Sequence, residues 1–527
     1  MKKIFFFLSI IMASFCVLAQ GAYTVIPYPN KLVKADGFFE FKSSLTITLP
    51  KEFKSELGVM TGLFADEYST KILSVRNGKL SFKQNKQLGD EAYKLTVSSN
   101  KMEVEASTTT GCFWAVQSIR QLMKLKGRGS YTVAGCQIED QPAYKWRAFM
   151  LDEGRNFKGK EIVKGLLDQM ALLKLNIFHW HLTDDQGWRI EIKKYPLLTD
   201  VGAWRDSTQI GEWPTGWSSK KYDPNAHGGF YSQLDIKEII AYAAKLHITI
   251  VPEIEMPGHA SAAIAAYPWL GAGGEKIKVP SSFGNGRKDY AFNVADEKVY
   301  HFIEDVLKEV MTLFTGNVIH IGGDEVNYEV WKKSEAVNTL MKKEGFKNYS
   351  DVQIYFTNRI SNFIEKNGKR MMCWNEIMGD VNVDKQEKFA TTSLAKSSIV
   401  QFWKGDPKLL NDAIEKGYDV VNSDNPYTYL DYTYKGISLE KAYSFNPTPK
   451  GINAEQSNHV LGMGCQMWGE WIPKVTQMYR QVYPRIAVYA EDGWTDDSNK
   501  NFDRFKQSLG KIEHYWDSKG ISYYNEK

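Results

Sequence analysis

Eight short apolar runs punctuate residues 147–468: RAFMLD, LNIFHWHL, ITIVPEI, NVIHIGG, RMMCW, SIVQFW, DVVNS and LGMGCQMW. Each has the length of a strand, and longer helix-like stretches such as 159–173 and 235–246 lie between them. Parallel strands need crossovers of that kind. The pattern predicts an α/β fold, a (β/α)8 TIM barrel over residues 143–527 with a helical segment at its C-terminal end. An open doubly wound sheet is the alternative, but no glycine-rich phosphate loop follows the first run to support it.

Residues 20–142 have a different rhythm. Strand-like runs (SLTITLP, AYKLTVSS, KMEVEAS) alternate with polar turns and precede GCFWAVQSIRQLMKL over 111–125. There Phe113, Val116, Ile119, Leu122 and Met123 recur at helical spacing, so one apolar face can cover a sheet. This reads as a small α+β domain. It carries no constellation of acids or histidines, and a structural role is expected of it.

The first 19 residues read as an export signal: Lys2 and Lys3, an apolar run over 4–18, then VLAQG with Ala19 at the cleavage point. The mature chain is expected to start near Gln20 and to be periplasmic or secreted. Lipid anchoring through Cys16 is the less favoured alternative, because bulky Phe15 precedes it. No later run is apolar enough to span a bilayer. Cys112, Cys136, Cys373 and Cys465 fit no zinc spacing and are expected to be buried free thiols. The 66 basic and 62 acidic residues are scattered, so charge points to neither nucleic acid nor membrane. Aromatics, at 13%, cluster near acids in the second half, which suits carbohydrate.

Barrel active sites sit at the C-terminal ends of the strands. Those ends carry Arg155; His179, His181 and Asp184; Glu253 and His259; Asp324 and Glu325; Trp374 and Glu376; Trp403; Tyr429 and Asp431; Trp468 and Glu470. A lone strand-end Trp is more often packing and a lone Asp more often a helix cap, but convergence from seven or eight strands is hard to explain that way. His179 and His181, two residues apart, share one strand face and would suit a metal. None of the nine histidines lies at the ends of the last four runs to complete such a site. Histidines hydrogen-bonded within the pocket wall are the preferred reading.

Two-carboxylate glycoside hydrolysis needs acids facing each other across the scissile bond, about 5 to 9.5 Å apart. Asp324 and Glu325 are neighbours, and if they continue the strand their side chains diverge. They suit a different division of labour: one protonates the leaving oxygen, while the other handles a part of the substrate that supplies its own nucleophile.

Six segments now bear together: IEDQPAYKWRAFMLDEGRNF, LNIFHWHLTDDQGWRIEIKKYP, VPEIEMPGHA, VIHIGGDEV, CWNEI and CQMWGE. In order and approximate spacing they resemble the family 20 glycoside hydrolases, the β-N-acetylhexosaminidases. The resemblance covers nearly the whole mature chain, since that family carries a small α+β domain before its barrel. It implies exo-cleavage of terminal β-linked GlcNAc or GalNAc, from glycoconjugates or chito-oligosaccharides, by substrate-assisted catalysis through an oxazoline. It implies a carbohydrate partner and no metal or organic cofactor. Carried over, Glu325 resembles the general acid, and Asp324 and Tyr429 the groups that hold the acetamido N–H and carbonyl oxygen. Asp184 and His259 resemble the pair behind the acid, while Arg155, Asp431 and Glu470 resemble the hydroxyl binders. Trp374 and Trp468 resemble pocket walls, with Tyr355 a candidate for one further aromatic wall. Three departures, Asn156, Glu255 and Asn375, replace the commoner His, Asp and Asp, and bear on substrate preference. A binding protein on a dead barrel would have lost the acid pair or Tyr429. A chitinase-type barrel would show D-x-x-D-x-D-x-E where HIGGDE stands.

Overall fold

The computed structural model describes residues 23–127, 129–284, 290–378 and 390–525. The predicted export signal over 1–19, with Cys16, lies outside them.

Eight parallel strands close into a barrel: β1 (Trp146–Asp152), β2 (Ile177–His181), β3 (Thr249–Glu253), β4 (Val318–His320), β5 (Arg370–Trp374), β6 (Ile399–Phe402), β7 (Asp419–Asn422) and β8 (Val460–Met467). Each pairs with the next, and β8 returns to β1. Every apolar run singled out in the sequence supplies one strand. Helices Lys160–Leu172 and Gln233–Lys245 are the expected crossovers, the second opened by a capping box between Ser232 and Asp235.

The register decides where chemistry can gather. Asp152 stands opposite His181, His181 opposite Glu253, and Glu253 opposite His320. In-register neighbours on parallel strands point to the same side, so the ends of β1–β4 raise a level ring of polar groups. An apolar layer that includes Trp146, Ile177, Val251, Met372 and Val421 fills the lower interior, and Met150, Trp374, Trp403, Tyr429 and Trp468 cluster at the upper end.

The N-terminal domain is a mixed eight-stranded sheet with helices Glu56–Tyr68 and Thr109–Leu122. The second helix differs from its expected form in two ways. It ends at Leu122, after which Lys124–Gly127 forms an edge strand, and every residue from Gly111 to Leu122 is buried instead of one face alone. The reason is a second layer: Gln121 donates to the carbonyl of Leu172, and Trp114 packs edge-on against Trp494. The helix is thus sandwiched between its sheet and the barrel. At this seam Lys174 reaches Asp140 and the Tyr93 hydroxyl, both at 2.9 Å. All four cysteines among the described residues are free and buried, as expected. No helix among the described residues is long and apolar enough to cross a membrane.

Candidate active site

The adjacent acids do not continue β4. That strand ends at His320, and Gly322 (φ 66°), Gly323 (φ 90°) and Glu325 (φ 48°) all take left-handed backbone. A side chain at either glycine would also displace a neighbour. A Cβ on Gly322 would lie 1.8 Å from Glu255 Oε2, and one on Gly323 would lie 2.1 Å from Ile377 Cδ1. The turn overrides the strand pleat, so Asp324 and Glu325 converge where divergence was expected. Asp324 Oδ2 and Glu325 Oε2 lie 3.9 and 3.8 Å from the same atom, His259 Nε2. Asp324 is 7% exposed, while the Glu325 side chain is 37% exposed. One acid is therefore sunk in the pocket and the other stands at its mouth.

Behind them, His259 Nδ1 faces Asp185 Oδ2 at 3.1 Å and Asp184 Oδ1 at 3.4 Å. Asp185, which the sequence reading passed over, is thus the nearer partner. Asp184 is shared, with Oδ2 lying 2.9 Å from both Arg155 Nη2 and His181 Nε2. Burial disfavours the charge on His259, but Asp184, Asp185 and Asp324 outweigh it and hold the imidazole well above its usual range. Burial likewise acts against Asp184 ionising, yet Arg155 and His259 keep it well below the usual carboxylate range. For Asp324 burial wins, helped by Glu325 and moderated by His259, and the carboxyl is pushed up to about 6.

These groups open into a cavity of about 240 Å³. On one side stand Arg155, Asp431 and Glu470, with the guanidinium 5.0 Å over the Trp468 ring and 3.9 Å from Glu470 Oε1. On the other, Tyr429 lies parallel to Trp403 at 6.0 Å. Burial, reinforced by Glu470, raises Asp431 well above the usual carboxylate range. Trp374 lies beneath the cavity: its ring packs 5.9 Å from Trp468 and its indole N–H donates to Glu253 Oε1 at 2.8 Å. Asp324 Oδ1, Asp431 Oδ1, and the indole nitrogens of Trp403 and Trp468 are buried without a hydrogen-bond partner among the described residues. Such groups are costly unless a ligand or solvent meets them.

Tyr355 is not a wall. It lies on helix Tyr349–Lys366 against Phe346 at 5.3 Å and does not line the cavity. The further aromatics are Trp213, Trp217 and Tyr432, with Trp213 stacked on Tyr432 at 4.6 Å and 11°. Both tryptophans come from the excursion between β2 and β3, far longer than the few residues usual for a strand–helix connection. That length was the available signal.

Among the described residues three buried groups could close around a cation: His179 with Glu253 and His320, His181 with Asp184 and Glu255, and Asp184 with Asp185 and His259. In the first, His179 Nε2 and His320 Nδ1 stand 2.7 and 3.0 Å from Glu253 oxygens, and His181 Nδ1 is 2.7 Å from Glu253 as well. Of these contacts His181 Nδ1 to Glu253 is a hydrogen bond, which suits the hydrogen-bonded reading at His181; His320 Nδ1 accepts instead from the Gly322 N–H at 3.0 Å, and His179 Nε2 has no hydrogen-bond partner among the described residues. Burial takes His179 down to about 4, whereas Glu253 and Asp184 overcome the same burial at His181 and push it up to about 10.

Comparisons with known proteins bear on this site. Residues 144–497 match the model of the glycosyl hydrolase family 20 catalytic domain, and residues 22–141 match that family's domain 2. The chain belongs to glycosyl hydrolase family 20. A β-hexosaminidase of Porphyromonas gingivalis is 33% identical over 95% of the chain, which spans 64% of that relative's length. Solved family 20 structures superpose closely. An exo-β-N-acetylglucosaminidase of Vibrio harveyi in complex with N-acetylglucosamine gives a TM-score of 0.84 at 30% identity, over 96% of this chain and 78% of the other. A β-N-acetylhexosaminidase of Bacteroides fragilis gives 0.78 at 31%, over 95% and 96%.

Within this family 20 barrel the three departures have structural partners. Asn156 donates to the Gly469 carbonyl at 2.7 Å and accepts from Arg205 at 3.1 Å, tying the β8 loop to the β2–β3 excursion. Asn375 accepts from the Trp403 N–H at 3.0 Å. Glu255 packs under Gly322, where burial and the charges of Asp324 and Glu253 hold its carboxyl well above the usual range.

Proposed function

We propose that the protein is an exo-acting, retaining β-N-acetylhexosaminidase that removes terminal GlcNAc or GalNAc by substrate-assisted catalysis. The observation that carries this reading is the convergence of Asp324 and Glu325 on one imidazole nitrogen. Neighbouring acids in that arrangement do not clasp a glycosidic bond from opposite faces, so the nucleophile belongs to the sugar. The names of the relatives support the substrate class.

The sugar enters the cavity with its hydroxyls toward Arg155, Asp431 and Glu470 and its apolar face on Trp468. Asp324 accepts the acetamido N–H, and the Tyr429 hydroxyl donates to the carbonyl oxygen. That oxygen attacks C1 as Glu325 passes its proton to the departing glycosidic oxygen, leaving an oxazoline ring whose positive charge Asp324 offsets. Glu325, now a carboxylate, takes a proton from water as the water oxygen adds to C1 and reopens the ring. Two inversions give the β anomer. His259, held cationic by Asp184 and Asp185, sits where it lowers the cost of charge on Asp324. A cavity of about 240 Å³ suits one monosaccharide, hence terminal cleavage.

The test is inhibition by a GlcNAc-derived thiazoline, which imitates the cyclised intermediate. Strong competitive inhibition by the thiazoline, weakened in Asp324→Asn, is expected. Weak inhibition, or trapping of a sugar ester on a carboxylate of the protein, would overturn the mechanism. The apolar stretch over 4–18 supports export, and N-terminal sequencing of the mature protein should begin near Gln20.

A further inference from the structure

Glu325 occupies a backbone conformation that few residues other than glycine adopt, φ 48°, and such strain persists only where surrounding groups over-determine it. The turn Asn375–Met378, directly after β5, and the helix Tyr349–Lys366 supply those groups. The turn's Ile377 fills the space beside Gly323, its Glu376 Oε2 accepts the backbone N–H of Glu325 at 2.8 Å, and the helix's Gln353 donates to the Gly323 carbonyl at 2.7 Å. The same turn steadies the end of β6, since Asn375 accepts from Trp403 N–H and donates to the Lys404 carbonyl, both at 3.0 Å. Glu376 is buried and its second oxygen has no hydrogen-bond partner among the described residues. It has no ion pair among the described residues; Asp324 and Glu325 face it from the β4 loop and Lys404 from β6. A third carboxyl in so acidic a corner needs a reason, and hydrogen bonding to the acid's own peptide provides one.

We propose that Glu376 is a positioning residue for the general acid: by accepting the Glu325 N–H it fixes the left-handed turn that carries the Glu325 carboxyl to the leaving oxygen. The proposal rests on Glu325 being that acid. Without the acceptor the 324–325 peptide is free to rotate, which withdraws the Glu325 carboxyl while Tyr429, Trp468 and the hydroxyl binders keep their places. Proton delivery then suffers more than sugar binding does, and the loss scales with how much the leaving group needs a proton.

The experiment measures kcat/KM, which reports the first chemical step, for 2,4-dinitrophenyl and phenyl β-GlcNAc glycosides. It uses wild type, Glu325→Gln, Glu376→Leu, Glu376→Gln and Glu376→Asp in the full chain. Glu325→Gln should lose selectively on the phenyl glycoside; equal losses on both substrates would overturn the acid assignment and this proposal with it. Given that control, Glu376→Leu should fall about 100-fold on the phenyl glycoside and less than about fivefold on the dinitrophenyl one. Glu376→Gln, whose amide oxygen accepts the same N–H, should restore the phenyl rate to within about threefold of wild type. If Glu376→Leu fails to fold, Glu376→Asp, one methylene too short, should show the same selectivity at about tenfold. With Glu325→Gln selective, equal losses on the two substrates at position 376, or no rescue by glutamine, would overturn the positioning role alone.

Discussion

Two buried aspartates at opposite ends of the barrel live under contrasting rules. Asp140, on the seam between the N-terminal domain and the barrel base, is met on both oxygens. Oδ2 accepts from the Tyr93 hydroxyl at 2.6 Å and Lys174 at 2.9 Å, and Oδ1 accepts from the Trp494 indole at 3.0 Å and Asn30 N–H at 3.1 Å. Asp324, at the upper rim, is almost as buried, yet among the described residues its Oδ1 has no hydrogen-bond partner and its nearest cation, His259, stands 3.9 Å away. The seam carboxylate is satisfied by the fold itself. On the proposed function, the rim carboxylate is left for the substrate. Of these two carboxylates, one is completed by groups the fold supplies and the other is not.

Removing each charge should therefore have opposite consequences. Asp140→Ala leaves Lys174 buried without its anion, and unfolding in denaturant should show a loss of about 3 to 5 kcal/mol. A change below about 1 kcal/mol would erase the contrast.

Asp324→Asn should instead stabilise the protein, and only in one pH range. The Asp324 carboxyl is pushed from 3.8 up to about 6 in the fold. The native state thus holds a proton that the unfolded chain has already lost, and stability falls as pH rises through that window. The variant escapes the penalty. Its advantage should be near zero below pH 4, grow to on the order of 2 to 3 kcal/mol, and stay constant above pH 6. Thermal or denaturant unfolding across pH measures it; a pH-independent difference would place its origin elsewhere. Activity should fall in the same variant.

The smallest effect concerns Trp468, which belongs to the rim cluster and carries an unmet indole N–H. Trp468→Ala should weaken binding of a GlcNAc-derived inhibitor by about 1 to 3 kcal/mol. Unchanged calorimetric affinity in a folded variant would make this tryptophan part of the core alone.

The barrel was legible because each strand is an isolated apolar run bounded by polar residues, and all eight runs became strands. The rim was legible to the extent that it hangs directly on strand ends: Arg155, Tyr429, Asp431, Trp468 and Glu470 line one cavity. What failed depends on backbone turns and second layers. Gly322 and Gly323 hinted at a turn, but the left-handed φ of Glu325 has no signature in residue type, and it reversed the expected direction of the acid pair. Between Asp184 and Asp185 a one-residue ambiguity decides which is nearer His259, and only folding resolves it. Trp213 and Trp217 lie in a segment without periodicity, while Tyr355 was misplaced because its helix turns it toward Phe346. The amphipathic pattern of the helix Thr109–Leu122 announced one covered face and could not announce the barrel behind the other.

The most direct test of the contrast is the ratio of kcat/KM for p-nitrophenyl β-GlcNAc and p-nitrophenyl β-glucoside in the wild-type protein. The two differ only in the acetamido group that Asp324 and Tyr429 are proposed to hold. A positioned intramolecular nucleophile is worth many orders of magnitude, so the glucoside should react at least about 10⁴-fold more slowly. Glucoside hydrolysis within about tenfold of the GlcNAc substrate would mean that the enzyme supplies its own nucleophile, and that the unmet rim carboxylate serves some other purpose.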